Sequence, residues 1–296
     1  MNWDDIRIFL SVARTESLSA AARTLRLDPA TLGRRVQRLE AAVDAPLFAK
    51  SPQGYALTGA GERLLSHAER AEAAMQAADE DLRGDTETLS GTIRIGAPDG
   101  CANFLLPQVT AAIVADHPDL TVQIVAQPRV FNLSRREADM AIGVSRPTAG
   151  RLLVQRISDY RLHLAASRDY LSAHSPIRHR ADLKAHPVVG YIPDMIFDKE
   201  LDYLAEAGAS ESKFGANLAS VQLNWLRQGT GVGIVHDFAL PSAPELERIL
   251  TDEISLKRTF WLVRHQDDRN VQRLSRFADL LCEGLRQEIA HREALA

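Results

Sequence analysis

The chain has 296 residues, 45% hydrophobic and 25% charged, with a formal net charge of −4. That length holds more than one core, since domains run to roughly 50–200 residues, and the composition is ordinary for a globular protein. No apolar run approaches the ~18 residues of a membrane-spanning helix, and Cys101 and Cys282 offer neither a disulfide framework nor a metal-ligand pattern.

The amino-terminal Met-Asn-Trp-Asp-Asp has acids where a secretory leader has a basic start, which predicts a cytoplasmic location with no membrane partner. Trp3, Ile6, Phe9, Leu10 and Ala13 recur at helical spacing and predict an amphipathic first helix. Residues 18–37 then read as two short helices around a tight turn. Ser19 is the expected N-cap of the first, whose Leu18, Ala21, Ala22 and Leu25 share an apolar face. The second opens with Asp28 as N-cap and Pro29 at its first position, and turns Leu32, Val36 and Leu39 inward.

Arg34, Arg35 and Arg38 project away from that stripe, while Thr31 and Gly33 keep the leading turn slim. A solvated surface helix mixes charge signs, but no acid lies between Pro29 and Arg38. This helix is therefore expected to enter the major groove of a double-stranded DNA operator. Leu47-Phe48-Ala49-Lys50 and Tyr55-Ala56-Leu57 flank Ser51-Pro52-Gln53-Gly54, a hairpin signal that completes a winged helix-turn-helix over 1–59. Arg34 and Arg35 are expected to read bases, with Thr31 near a base edge. Arg38 and Lys50 are expected on phosphate, with Gln53 at the wing tip.

Charge is unevenly spread. Residues 1–60 carry eight Lys and Arg against six Asp and Glu, whereas residues 61–90 carry three against eight. A modestly basic head binds DNA weakly alone, so two or more heads acting together are expected. Leu64, Ala68, Ala71, Met75, Ala78 and Leu82 follow a 4-3-4-3-4 spacing, a coiled-coil seam. Thr58 is the expected N-cap of this helix and Gly84 its stop. The competing reading packs the helix on its own domain. Against it, Glu62, Arg63, Glu69, Arg70, Glu72, Asp79, Glu80 and Arg83 leave only a narrow stripe to bury. Residues 60–90 are thus expected to be a dimerisation helix and hinge, giving a homodimer.

Beyond the hinge, strand and helix patterns alternate. Strands are expected at 91–96, 120–125, 139–143, 152–157, 161–165, 188–191, 232–235 and 260–263, with helices over 105–116 and at the end of the chain. Such alternation implies parallel sheets with crossover helices. It suits two α/β subdomains, the first made of 91–161 plus 265–296 and the second of 162–264.

The residues Phe9-Leu10, Ser19-Ala20-Ala21-Ala22, Leu25, Arg34, Arg38-Leu39-Glu40, Pro46-Leu47-Phe48 and Leu57-Thr58-Gly59-Ala60-Gly61 resemble, in order and spacing, the LysR-type transcriptional regulators. Looser signatures follow at Leu133 to Asp139, Asp169-Tyr170-Leu171 and Gly229 to Ile234. The family opens its recognition helix with Ser-Gln-Pro/Ser-Ala, whereas this chain has Asp28-Pro29-Ala30-Thr31, and Gly33 stands where a Ser commonly precedes the first Arg. The resemblance implies a fold of the α/β class: an all-α-dominated winged helix-turn-helix N-terminal domain and a two-subdomain α/β periplasmic-binding-protein-like effector domain. It also implies a dimer that pairs again into a tetramer.

Enzyme signals are poor. The chain has no phosphate loop, no nucleophile elbow and no His-Glu-x-x-His pair, so no catalytic residue, metal or cofactor is expected. Ligand binding without chemistry remains. In open α/β sheets the crevice lies beyond the strand carboxyl ends. This nominates Asp99, Gly100, Cys101 and Arg129 from the first subdomain, with Asp194 and His236 from the second, for a small, more often anionic, effector. Each has a plainer reading: Arg129 as a surface cation, Asp99 as a helix cap, Cys101 as pocket lining rather than a redox sensor. Two other functions compete with an effector-controlled regulator, namely a solute-binding protein and an architectural DNA-binding protein or repressor that ignores small molecules.

Overall fold

The computed structural model describes residues 2–51, 54–83, 88–126, 138–208 and 211–296. The chain divides into two compact units, one built on residues up to Thr86 together with Gln266–Ser275, the other on most of the rest from Glu87. Gln53, Arg129 and Gly84 lie outside the described residues, as do the side chains of Lys50 and Leu82.

In the first unit, three helices pack around one core: α1 (Trp3–Thr15), α2 (Leu18–Leu25) and α3 (Pro29–Val43). Ser17, not Ser19, caps α2. Its backbone is extended and its side chain accepts from the Ala20 amide, so the helix begins one residue after it and Ser19 falls within the first turn. Asp28 caps α3 as expected, accepting from the Thr31 amide at 3.0 Å, with Pro29 at the first helical position. Leu32, Val36 and Leu39 are buried beside Phe9, Leu10 and Ala21, which seats α3 by one face.

The wing is a short antiparallel hairpin of β1 (Phe48–Ser51) and β2 (Gly54–Leu57), with Lys50 opposite Tyr55. Two contacts fix it. One Glu40 oxygen accepts from the Leu47 and Phe48 amides at 2.8 and 3.2 Å, and the Tyr55 amide donates to the Glu16 carbonyl at 2.9 Å. Gly54 has φ +133°, and a Cβ there would lie 2.4 Å from the Glu16 carbonyl oxygen. The approach therefore requires glycine.

Helix α4 (Gly59–Arg83) begins where the Thr58 hydroxyl accepts from the Gly61 amide at 3.1 Å. Its seam is divided rather than continuous. Ala68 is buried in the unit's own core with Leu64 packed against it, while Met75 is 56% exposed and Ala78 is exposed. Two of the acids expected on the solvated faces are drawn inward: Glu69 is buried, and Glu72 pairs with Arg14 of α1 at 2.5 Å. The own-domain reading holds for the first half of the seam.

The second unit is a nine-stranded mixed sheet. β3 (Gly91–Ala97) lies parallel to β4 (Leu120–Ala126) and β5 (Met140–Gly143), with α5 (Asp99–Phe104) and α6 (Leu106–Asp116) in the first crossover. β6 (Leu152–Ser167), α7 (Arg168–Ala173), β7 (Val188–Gly190), α8 (Tyr203–Ala207), β8 (Phe214–Gly215), α9 (Ala219–Arg227), β9 (Val232–His236), β10 (Leu246–Ile249) and β11 (Ser255–His265) follow. β7 pairs in parallel with β8 and β9. The last helix, α10 (Gln272–Ala294), buries the expected stripe from Leu274 to Leu285.

The expectation of parallel sheets is corrected by β11, which runs antiparallel to β6 over Leu152 to His163 and to β5, so that antiparallel pairing joins the two parallel halves. The two strands expected at 152–157 and 161–165 are one. Ser158 and Asp159 look like a break in sequence, yet Asp159 accepts from Thr259 and Lys257 on the neighbouring strand at 2.7 and 2.6 Å. Those contacts and Arg156 hold its carboxyl down at about 2, so the charge is stable within the ladder.

Candidate nucleic-acid interface and effector crevice

Seating α3 by its apolar stripe leaves Ala30, Arg34 and Gln37 exposed along one edge. The three arginines expected on a common surface take different roles. Arg34 is exposed, and its guanidinium donates to the Thr31 hydroxyl at 3.3 Å, with no carboxylate pairing it among the described residues. Arg35 is half-buried and reaches Asp4 loosely at 3.8 Å. Arg38 makes a two-pronged contact with Asp5, its Nε 2.8 Å from one carboxylate oxygen and its Nη2 on the other. Asp5 is 3% exposed, so Arg38 neutralises a buried acid, and that pairing raises its own pKa. Sequence reasoning passed over Gln37, although it lies one turn beyond Arg34. Its amide matches the adenine edge as guanidinium matches guanine.

In the second unit, the residues nominated after β3 and β9 meet one another. Gly100 opens α5 directly beneath the His236 ring, whose Cε1 would lie 3.2 Å from a Cβ at that position. His236 is buried, and loss of solvation takes its pKa down to about 4, so the ring is neutral. Cys101 is fully enclosed, and burial pushes its thiol well up. A redox sensor needs the opposite. Asp99 reaches across to α9, accepting from the Ser220 amide at 2.7 Å and its hydroxyl at 3.2 Å. It supplies α9 with the N-terminal acceptor that Leu218 lacks. Ser145, after β5, likewise donates to Asp198. Asp237, which adjoins His236, turns away from the crevice to His163 and Arg248 at 2.8 and 3.2 Å.

Tyrosines missed in sequence complete the floor. Tyr160 of β6 stacks on Phe260 at 4.1 Å and lies 5.6 Å from the His236 ring, and Tyr203 is 6.1 Å from the same ring. Both hydroxyls are buried and interact with each other, and burial holds both protonated. Beside them, at the carboxyl end of β7, opens a cavity of about 500 Å³. Its walls include Tyr191, Tyr203 and Gln222, with Lys199 and Asp202 among the lining residues. Asp194 is exposed next to Pro193, which lines the same cavity. The volume falls in the ~300–1,000 Å³ range of small-molecule pockets.

A helix seated by one face with Arg34 exposed on the other, followed by a mixed α/β unit that opens a cavity at a strand end, is the arrangement of a DNA-binding protein with a small-molecule domain. Residues 3–62 match the family described as bacterial regulatory helix-turn-helix protein, lysR family, and residues 86–286 match the LysR substrate binding domain. The chain belongs to the LysR family of transcriptional regulators.

Among curated proteins it is similar to the transcriptional regulator DgdR of Burkholderia cepacia, 37% identical over 150 residues that span 50% of each chain. It is also similar to the probable regulator SinR of Salmonella typhimurium, 26% identical over 78% of this chain and 76% of that one. Among solved structures, a full-length OxyR variant from Pseudomonas aeruginosa superimposes with a TM-score of 0.76 at 18% identity, covering 97% of this chain and 95% of that one. Full-length LysG of Corynebacterium glutamicum, solved with bound effector arginine, gives 0.63 at 20% identity over 96% and 98%. These likenesses establish the fold. Among the described residues no helix is long and apolar enough to cross a membrane.

Proposed function

We propose that this chain is a cytoplasmic, non-enzymatic regulator that recognises a specific operator through α3 and answers to a small effector held between the two α/β subdomains. Residues 1–59 form the DNA-binding domain, 60–90 the linker and hinge, and 91–296 the effector domain. The observation that carries the reading is Arg34. It stands exposed and without an acid partner on a helix whose opposite face is buried in the core. Thr31, Arg35, Arg38, Lys50 and Gln53 are proposed to contact the operator with it. Asp99, Gly100, Cys101, Arg129, Asp194 and His236 are proposed for the effector side of the second unit.

The heads act as a homodimer, paired again into a tetramer, through the part of α4 that its own unit leaves open, Met75 and Ala78. Met75→Glu places like charges in that seam. Light scattering is expected to report a lower oligomer, and footprinting a weaker, single-head contact with a discrete operator. A variant that keeps both its mass and its footprint moves the interface elsewhere. A wild-type chain that protects no discrete site contradicts the regulatory reading itself.

A further inference from the structure

We propose that the cavity beside Tyr203 takes a zwitterionic amino acid with an apolar side chain, its ammonium facing Asp202 and its carboxylate facing Lys199. This rests on effector control by the second unit and names the chemistry of the effector. The walls of the cavity are largely apolar, with Val189, Ile196, Leu204 and Ile234 among them. Such walls suit a hydrocarbon side chain.

The polar groups are few and of both kinds. Lys199 opens a single 3-10 turn and Asp202 closes it, the Asp202 amide donating to the Lys199 carbonyl at 3.1 Å, so opposite charges stand one turn apart. Among the described residues no ion pair engages either side chain. The adjacent Arg258 is already taken by Glu200 and Glu206.

Gln222 adds a fixed acceptor. It is 5% exposed, and its amide nitrogen donates to the Ala216 carbonyl at 3.0 Å, so its oxygen is the end left for a ligand. Tyr203, 4% exposed, closes the inner wall with a phenol that burial keeps protonated. A donor at Lys199 with acceptors at Asp202 and Gln222 matches one carbon bearing an ammonium and a carboxylate. A dianion would meet Asp202 unfavourably, and a hydrocarbon would leave the Gln222 oxygen unpaired.

The test is calorimetry of the full chain with leucine and phenylalanine, against the same molecules lacking the amine (4-methylpentanoate, 3-phenylpropionate) or lacking the carboxylate (3-methylbutylamine, phenethylamine). At least one amino acid is expected to bind about ten-fold or more tighter than both of its truncated forms. Asp202→Asn is expected to weaken the amino acid about five-fold, the upper range for an exposed ion pair, and to leave the deaminated acid unchanged. Lys199→Gln is expected to weaken the amino acid and the deaminated acid alike. Both charges are at the rim, so circular dichroism of the variants should match wild type.

Equal binding of the deaminated acid, or indifference of the amino acid to Asp202→Asn, overturns the proposal. So does binding of neither amino acid. In that case a melting-temperature screen against other metabolites tells a wrong ligand class, in which some other compound stabilises the protein, from an effector-blind protein, in which none does.

Discussion

Arg34→Ala lowers affinity for the operator by about ten- to a hundred-fold and leaves the unfolding curve of the protein unchanged, while Arg38→Ala lowers the melting temperature as well as the affinity. The difference follows from where each guanidinium is held. Arg34 projects from the exposed edge of α3 and makes an exposed hydrogen bond to the Thr31 hydroxyl of its own helix, so its removal leaves no buried partner stranded among the described residues. A guanidinium reading guanine with two hydrogen bonds is worth ~1–3 kcal/mol of discrimination, which sets the expected loss. Arg38 shares the helix but contacts Asp5 through two nitrogens, and the Asp5 side chain is 4% exposed. Truncating Arg38 strands that carboxylate in the core of the N-terminal unit, so thermal melting falls first and DNA binding is lost with the fold. The paired variant Asp5→Asn with Arg38→Ala should recover part of the melting temperature, because the stranded charge is gone. Footprint titrations at fixed salt, run beside denaturation curves, separate the two classes. Matching losses in both measurements for Arg34→Ala would remove it from the base-reading surface.

Features that depended on local spacing were legible in the sequence; those that depended on partners far along the chain were not. The seating of α3 could be read because Leu32, Val36 and Leu39 declare their face without reference to anything distant. Ser17 and Ser19 bracket Leu18, and only the extended backbone at Ser17 decides between them. The fate of Arg38 depended on Asp5 of another helix, which no pattern within α3 reports. The α4 seam obeyed the right period, but Leu64 and Ala68 had a closer apolar surface available in their own unit.

In the sheet, periodicity found most of the strands and missed β8 and β10, which have two and four residues. The long β6 was split in two because Asp159 is polar, and its stabilising partners Lys257 and Thr259 come from about a hundred positions later. The crevice shows the same division. Asp99, Gly100, Cys101 and His236 followed from the rule of strand ends. Tyr160, Tyr203 and Gln222 are single side chains in apolar or irregular stretches, recognisable only once burial and partners are visible.

His236 makes the second unit sensitive to acid. In the unfolded chain a histidine titrates near ~6.5, and in the fold burial lowers His236 to about 4. Between those values the unfolded chain binds a proton that the folded one refuses, so stability falls with pH. The contribution is complete above about pH 6.5, declines by about 3 kcal/mol on the way to pH 4, and is level below it. Among the described residues no charge offsets that loss of solvation, since the adjoining Asp237 is turned to His163 and Arg248. The facing groups are the Tyr160 and Tyr203 rings, the Phe238 ring at 4.9 Å and the backbone of Gly100, and both phenols stay neutral throughout this range.

His186 is also held down by burial and contributes a slope of the same sign, so the measurement is a difference. Urea unfolding from pH 7.5 to 4 for wild type and for His236→Gln should give a steeper decline in wild type by about 3 kcal/mol over that interval. Parallel curves would mean that the ring takes up its proton inside the folded crevice. Because Gly100 lies against the ring and Asp99 beside it reaches to α9, protonation at His236 pushes on the contact between α5 and α9. Acid should therefore loosen the crevice before the sheet gives way, with hydrogen exchange at α5 and at the start of α9 rising ahead of exchange in β6 and β11.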